Sequence, residues 1–183
     1  MDTYREYQRI CSKYNMSAVP LIVQEKFEYG KKVIEIVNEA NEIFIYFDKN
    51  MTSIVNKAGI RKRGKQPTKA QVHNLEKMAE EGELDGLSIL LSECMNKMES
   101  ITRKNTSIQV PDGLDDTYER TNRMLSEGFN YFSYQAEYLK SSKEALTNLA
   151  NASKQVFHEH VNENIAFLKN LLDDLNKVIN AEE

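Results

Sequence analysis

The chain has 183 residues, a mass of 21.2 kDa and a net charge of −4. That length suits one domain with a sizeable core, while seven Gly and three Pro are too few for a turn-rich all-β fold. The acidic balance disfavours a nucleic-acid binder, whose surface is normally basic, and no apolar run approaches the ~20 residues of a transmembrane helix.

The two cysteines, Cys11 and Cys94, lie far apart in the sequence and match no metal-ligand spacing. Two thiols are also too few for a disulfide scaffold. The sequence therefore predicts a reducing, cytoplasmic location. The alternative is an exported protein whose leader has been removed.

An apolar stripe near the amino terminus predicts a short helix over 2–15, which must dock on other helices to be stable. A long helix is predicted over 18–58, with Pro20 in its first turn. Its apolar arc is wider than one partner helix requires, so we expect two or more neighbours. The seam alternates steps of four and three: Val33, Val37, Ala40, Phe44, Phe47, Met51, Ile54 and Ala58.

A basic loop is predicted over 59–67, and a further helix follows it. Thr68 and Gln71 form a capping-box pattern, in which each side chain satisfies an unpaired backbone N–H at the start of a helix. The helix is predicted over 68–103. Its apolar phase slips at 82–86, which predicts a kink or short break there.

Residues 104–115 are predicted to form a loop, since Pro-Asp-Gly at 111–113 is typical of a turn. The long helical stretch over 116–181 contains almost no helix breaker. As one helix it would extend about 100 Å at ~1.5 Å per residue. Two arrangements fit the sequence: the stretch folds back near 141–153, or it stays straight and projects into a partner chain.

Positive charges cluster between the two predicted helices, and no acidic residue occurs between Lys49 and Leu75. Clustered Lys and Arg side chains are attracted to anionic membranes by about 1 kcal/mol each, and to other polyanions in the same way. The alternative is a solvated loop that balances acidic neighbours. The absence of an aromatic residue in the loop disfavours single-stranded nucleic acid. The candidate anion-binding residues are Lys57, Arg61, Lys62, Arg63, Lys65 and Lys69.

Aromatic residues are dense in the last helical stretch. A helical wheel assigns Phe129 and Phe132 to one face, and Tyr131, Tyr134 and Tyr138 to the opposite one. Tyr favours interfaces because it combines a large apolar body with a polar tip. The tyrosine face therefore predicts a contact with a protein partner or a second copy. The alternatives are cover by the N-terminal tyrosines of the same chain and a ligand groove.

Catalytic and metal sites receive little support from the sequence. His158 and His160 are two residues apart, so on a helix they point in different directions and cannot chelate one metal ion. No Ser-His-Asp or Cys-His arrangement is recognisable by spacing. We predict no catalytic residue, no metal site and no cofactor.

These features predict an all-α protein, an antiparallel bundle of three to four long amphipathic helices with a short N-terminal helix. In architecture alone, long helices with a basic tip loop resemble the crescent-shaped membrane-binding dimers of the BAR type. The leading interpretation is a non-enzymatic interaction or scaffold module that self-associates. The alternatives are peripheral binding to an anionic membrane or another polyanion through 57–69, and a small-molecule-binding or metal-dependent bundle enzyme.

Overall fold

A computed structural model describes residue 5 and residues 20–57, 68–82, 85–141 and 143–180. Within these ranges the chain contains helices and no strand, which confirms the predicted all-α class. The predicted basic loop over 59–67, and the predicted helix over 2–15 apart from residue 5, lie outside the described residues. The described residues form five long helices: α1 (Leu21–Lys57), α2 (Lys69–Glu80), α3 (Asp85–Thr106), α4 (Asp115–Ser141) and α5 (Glu144–Asn180).

Four of these helices close into a bundle in which α1 packs against α3 and α5, and α4 packs against the same two helices. Paired side chains fix the direction of α3 relative to α1. Glu39 forms an ion pair with Lys104, whereas Tyr46, further along α1, donates a hydrogen bond to Glu93, which is earlier in α3. These two helices are therefore antiparallel.

The same reasoning applies to the other neighbouring pairs. Phe44 stacks on Phe157 of α5, and Asp48, four residues later, pairs with Lys154, three residues earlier. On α4, Gly128 lies beside Met98 of α3 and Phe157 of α5. Neighbouring helices alternate in direction around the bundle, as short connections favour.

The core consists mainly of apolar side chains from these four helices. On α1 the buried positions cover a wide arc, because α3 and α5 approach it from two sides. The largest fully buried side chains are Phe27, Phe132, Phe157, Ile36, Leu91, Met98, Met124, Leu125, Leu168 and Leu175. No described helix combines the length and the apolarity needed to cross a bilayer.

The stretch predicted over 68–103 as a helix with a kink or short break at 82–86 contains two helices, α2 and α3. The capping box at the start of α2 is present, with the Thr68 N–H donating to Gln71 at 2.8 Å and the Gln71 N–H donating to Thr68 at 3.4 Å. α2 ends at Glu80, and the chain turns at Gly82, whose φ of 74° is a conformation that glycine adopts without strain. α3 starts at Asp85 and continues to Thr106, so the loop predicted over 104–115 is shorter than expected.

The stretch predicted over 116–181 folds back on itself. α4 ends at Ser141 and α5 begins at Glu144, so the two form a helical hairpin. We call the end of the bundle at this turn the tip end. Because the helices alternate in direction, α1 finishes and α3 starts at the tip end, and the opposite, base end contains the start of α4.

Gly128 offers a test of the close approach between α3, α4 and α5. A Cβ atom there would lie 2.8 Å from Met98 Cε and 3.2 Å from Phe157 Cδ2, whereas one at Gly86 would meet nothing within 4 Å. We expect Gly128→Val to lower the free energy of unfolding by about 1–3 kcal/mol, because overpacking forces side chains out of their rotamers. Gly86→Val should change it by less than about 0.5 kcal/mol. Urea denaturation measures both, and equal effects would contradict the packing described.

Candidate interaction surface on the helical hairpin

An aromatic cluster occupies the middle of the bundle, where α1, α4 and α5 meet. The Phe44 ring stacks on Phe157 at 4.3 Å and lies 4.9 Å from Phe132 and 5.2 Å from Tyr131. Phe47 meets the rings of Tyr131 and Phe132 at steep angles. Such tilted contacts stabilise aromatic pairs by about 0.5–1.5 kcal/mol beyond area burial. The cluster ties α1 to the hairpin.

Lys154 closes the cluster on its outer side. Its Nζ atom lies 5.2 Å from the Tyr131 ring centroid and 5.6 Å from that of Phe44, within cation–π range. The same atom is 3.6 Å from the Asp48 carboxylate. Burial and the Lys154 charge both lower the pKa of the neighbouring His158, with burial the larger cause. These groups therefore cover the rings and hold α5 against α1.

Tyr131 does not belong to an outer face, as the helical wheel predicted, but to the core. It is only 6% exposed and its ring contacts Phe44 and Phe47 of α1, whereas the N-terminal tyrosines lie outside the described residues. Conversely, Phe129, predicted to face the core, is 36% exposed. Among the predicted tyrosines, only Tyr134 and Tyr138 reach the surface.

The wheel was misleading because small and polar residues form the centre of the buried face of α4. Thr117, Thr121 and Gly128 are buried along one line with Met124 and Tyr131, in alternating steps of four and three. A wheel that counts only large apolar residues ignores three of these five. The true core face therefore lies between the two faces that the sequence predicted.

Tyr138, Leu139 and Leu149 are exposed apolar residues that flank the hairpin turn. The helical period places Tyr138 in line with Arg120 and Leu149 close to the line of Glu163. Tyr138 is 37% and Leu149 47% exposed, and Tyr134 is half-buried against the core. On α4, residues spaced alternately four and three apart lie along one line of the helix surface. The line that starts at Arg120 includes both tyrosines. On α5 an equivalent line runs from Leu149 to Glu163.

One contact at the base end aligns these two lines. Arg120 Nε, at the start of the α4 line, lies 3.4 Å from the carboxylate of Glu163, at the end of the α5 line. Continuing this antiparallel register toward the tip brings Leu149 level with the stretch between Tyr134 and Tyr138. We call Tyr134, Tyr138 and Leu149 the hairpin patch.

The charges on either side of the hairpin patch have opposite signs. Lys143, in the turn at the tip, is exposed, and no ion pair involves it among the described residues. Glu127 is half-buried on the α4 line, one heptad from Tyr134 toward the base, and it has no ion-pair partner in the described part of the chain either. The patch thus has an unpaired cation beyond one end and an unpaired anion beyond the other.

Beyond Glu127, the lines end in a surface ion-pair network. Glu163 accepts a hydrogen bond from His160 at 2.9 Å, and this contact is the main reason that the pKa of Glu163 is lowered. Arg120 reinforces the effect. The described residues contain no group of three or more His, Cys, Asp or Glu side chains arranged to hold a metal ion.

The described thiol shows no sign of activation. Cys94 is fully buried in α3, and burial raises its pKa to about 11, so it is protonated at neutral pH. A nucleophilic cysteine needs the opposite shift. This thiol therefore acts as a small core side chain.

The predicted anion-binding residues fall mostly outside the described part of the chain. Lys57 is the last residue of α1, and Lys69 is the first of α2 and is exposed. Arg61, Lys62, Arg63 and Lys65 lie outside the described residues. Of the predicted anion-binding residues, Lys57 lies at the tip end of the bundle, where α1 ends.

Comparison with known protein families gave no match. Neither a curated protein nor a solved structure proved significantly similar to the chain. The functional argument therefore depends on the geometry of the molecule itself.

Tyr131 and Tyr138 form a matched pair for testing which tyrosine is part of the core. We expect Tyr131→Ala to lower the free energy of unfolding by about 3 kcal/mol or more, since it leaves a cavity among packed rings. Tyr138→Ala, at a surface position, should lower it by no more than about 1 kcal/mol. Chemical denaturation of both variants measures the difference, and a larger loss for Tyr138→Ala would refute the assignment.

Proposed function

We propose that this chain is a non-enzymatic helical interaction module that associates with a second copy of itself through the hairpin patch. The observation that carries the proposal is the exposure of Tyr138 on α4 and Leu149 on α5, on the two lines that the Arg120–Glu163 contact aligns. Exposed apolar groups that continue a packed helix face favour a further helix as partner. Tyr is also enriched at the centres of protein interfaces.

The charges around the hairpin patch support a second copy as that partner. In a two-fold symmetric pair, each copy contributes the same surface in the opposite direction. Lys143 beyond one end of the patch then comes near Glu127 beyond the other end in the second copy. Both groups lack an ion-pair partner among the described residues, so the pairing satisfies charges that the single chain leaves unmatched.

The size of the hairpin patch predicts weak association. A stable interface buries about 800 Å² on each partner, more than three partly exposed side chains provide. We therefore expect a monomer at low concentration and a dimer at high concentration, rather than a permanent dimer.

Sedimentation velocity over a range from about 10 µM to about 1 mM tests this proposal. The unchanged chain should shift from monomer toward dimer as the concentration rises. Leu149→Asp should abolish the shift, because it buries an unpaired carboxylate in the contact. Ile89→Asp is the matched control, since Ile89 is an exposed apolar residue of α3 outside the hairpin.

A charge exchange tests the two-fold arrangement itself. Lys143→Glu and Glu127→Lys should each weaken the dimer. Each change places two charges of the same sign next to each other across the two-fold axis. The double variant should restore association toward that of the unchanged chain. A dimer that survives Leu149→Asp, a monomer at every concentration, or a double variant no better than the single ones would each refute the proposal.

A second candidate function, binding to an anionic membrane or another polyanion, is favoured by one observation. The end of α1 and the start of α3 both lie at the tip end, as does Lys143. The basic segment 57–69 begins at Lys57, the last residue of α1, and this function requires its charge to be presented at the tip end. Cations collected at one end of a rod-like bundle suit docking end-on against a charged surface.

Vesicle co-sedimentation tests this second candidate. The chain should bind vesicles containing phosphatidylserine at low salt and dissociate as the salt concentration rises, because screening weakens exposed charge contacts. Changing Arg61, Lys62, Arg63 and Lys65 together to Glu should abolish binding. A matched variant with four surface lysines of the base end changed to Glu should retain it, namely Lys26, Lys31, Lys169 and Lys177. Binding that is unaffected by the first set of changes would contradict this function.

A further inference from the structure

A cleft of roughly 360 Å³ opens at the base end, between the first half of α1 and the loop that joins α3 to α4. Glu25, Glu28, Tyr29 and Lys32 line one wall. The last three follow the first by three, four and seven residues, which places all four on one face of α1 over two turns. The facing wall is the loop segment 109–112.

Tyr29 provides the most informative group in the cleft. The residue is 2% exposed, yet its hydroxyl group has no hydrogen-bond partner among the described residues. A buried hydroxyl without a partner costs about 1–3 kcal/mol, so such groups are rare in folded proteins. Burial raises the pKa of Tyr29 to about 12, with smaller contributions from Tyr118 and Asp115, so the hydroxyl stays neutral. It therefore has both a free proton to donate and free lone pairs to accept.

The charged groups of the cleft are mainly acidic. Glu25, Glu28 and Asp112 contribute three carboxylates, against the single ammonium group of Lys32. Glu28 lies 4.0 Å from Lys31, whereas Glu25 and Asp112 have no ion-pair partner among the described residues. The cleft thus attracts a cation to carboxylates that are not already neutralised.

The walls between these charges are apolar. Ile22 on α1 and Val110 with Pro111 on the loop contribute hydrocarbon surface. A single metal ion would leave most of the volume and all of this apolar surface unused, whereas an alkyl chain would cover it. The volume lies within the range of small-molecule sites, about 300–1,000 Å³.

We propose that this cleft binds a small organic ammonium compound of the diamine or polyamine class. One ammonium group lies between Glu25 and Asp112 and donates an N–H to the Tyr29 hydroxyl oxygen. The alkyl chain covers Val110 and Ile22. This function is separate from the hairpin patch, which lies at the opposite end of the bundle.

Isothermal titration calorimetry with putrescine and spermidine tests the proposal, with succinate as a ligand of similar length and opposite charge. We expect saturable binding of one amine per chain and no binding of succinate. Glu25→Gln and Asp112→Asn should each weaken amine binding at least about tenfold, since each removes a charge-assisted contact. Glu42→Gln should leave binding unchanged, because Glu42 is an exposed α1 residue that lines a different groove.

Tyr29→Phe separates binding from folding. It should weaken amine binding about fivefold or more, while the thermal midpoint of the free protein stays the same or rises, because a buried hydroxyl without a partner is lost. Tyr46→Phe is the matched control, since Tyr46 is an exposed tyrosine of the same helix. No amine binding, equal binding of succinate, equal loss in Glu42→Gln, or full displacement of the amine by millimolar magnesium would each overturn the proposal.

Discussion

The close approach of three helices at Gly128 is the constraint on which the rest of the bundle depends. Because α4 has no side chain at this position, Met98 and Phe157 both reach its backbone. Phe157 is then deep enough to stack on Phe44, and that contact places α1 against the hairpin. The remaining rings, Tyr131 and Phe132, fill the space around Phe44. One missing side chain thus determines where the aromatic cluster forms and how α1 docks.

Buried amides accompany the apolar core toward the base end. Asn105 donates a hydrogen bond to Asn122 at 2.8 Å, and Asn164 donates one to the Thr121 hydroxyl at 3.4 Å, yet the side-chain oxygens of Asn105 and Asn164 have no partner in the described part of the chain. Such groups lower the stability of the fold. They destabilise other alignments of the helices more strongly, because neither the N–H nor the carbonyl group of the amide would then have a partner. The aromatic cluster therefore provides stability, and the amides help to specify the alignment of α4 with its neighbours.

The fold class and the long α1 could be predicted because their signal is local. The apolar seam of α1 repeats over most of its length, and the glycines near residue 82 coincide with a change of phase. The buried face of α4 could not be predicted in the same way, because Thr121 and Gly128 carry no apolar signal. Leu149 and the Tyr29 cleft were missed for another reason. Each depends on which other segment of the chain packs against it. The spacing of residues along one helix does not identify that segment.

The two candidate surfaces differ in how their geometry is maintained. In the hairpin patch, Tyr138 lies one heptad beyond the buried Tyr131 on the same helix, so the core orders the surface next to it. The side chains of the patch therefore lose little conformational entropy when a partner binds. The cleft depends on a loop, and that loop is held by the buried Leu114 and by Gly113, whose φ of 79° suits glycine. Asp112 directly precedes these anchors in the loop and, with Glu25, lines the cleft. Both surfaces are thus extensions of packed structure, which is the condition for specific binding by so small a bundle.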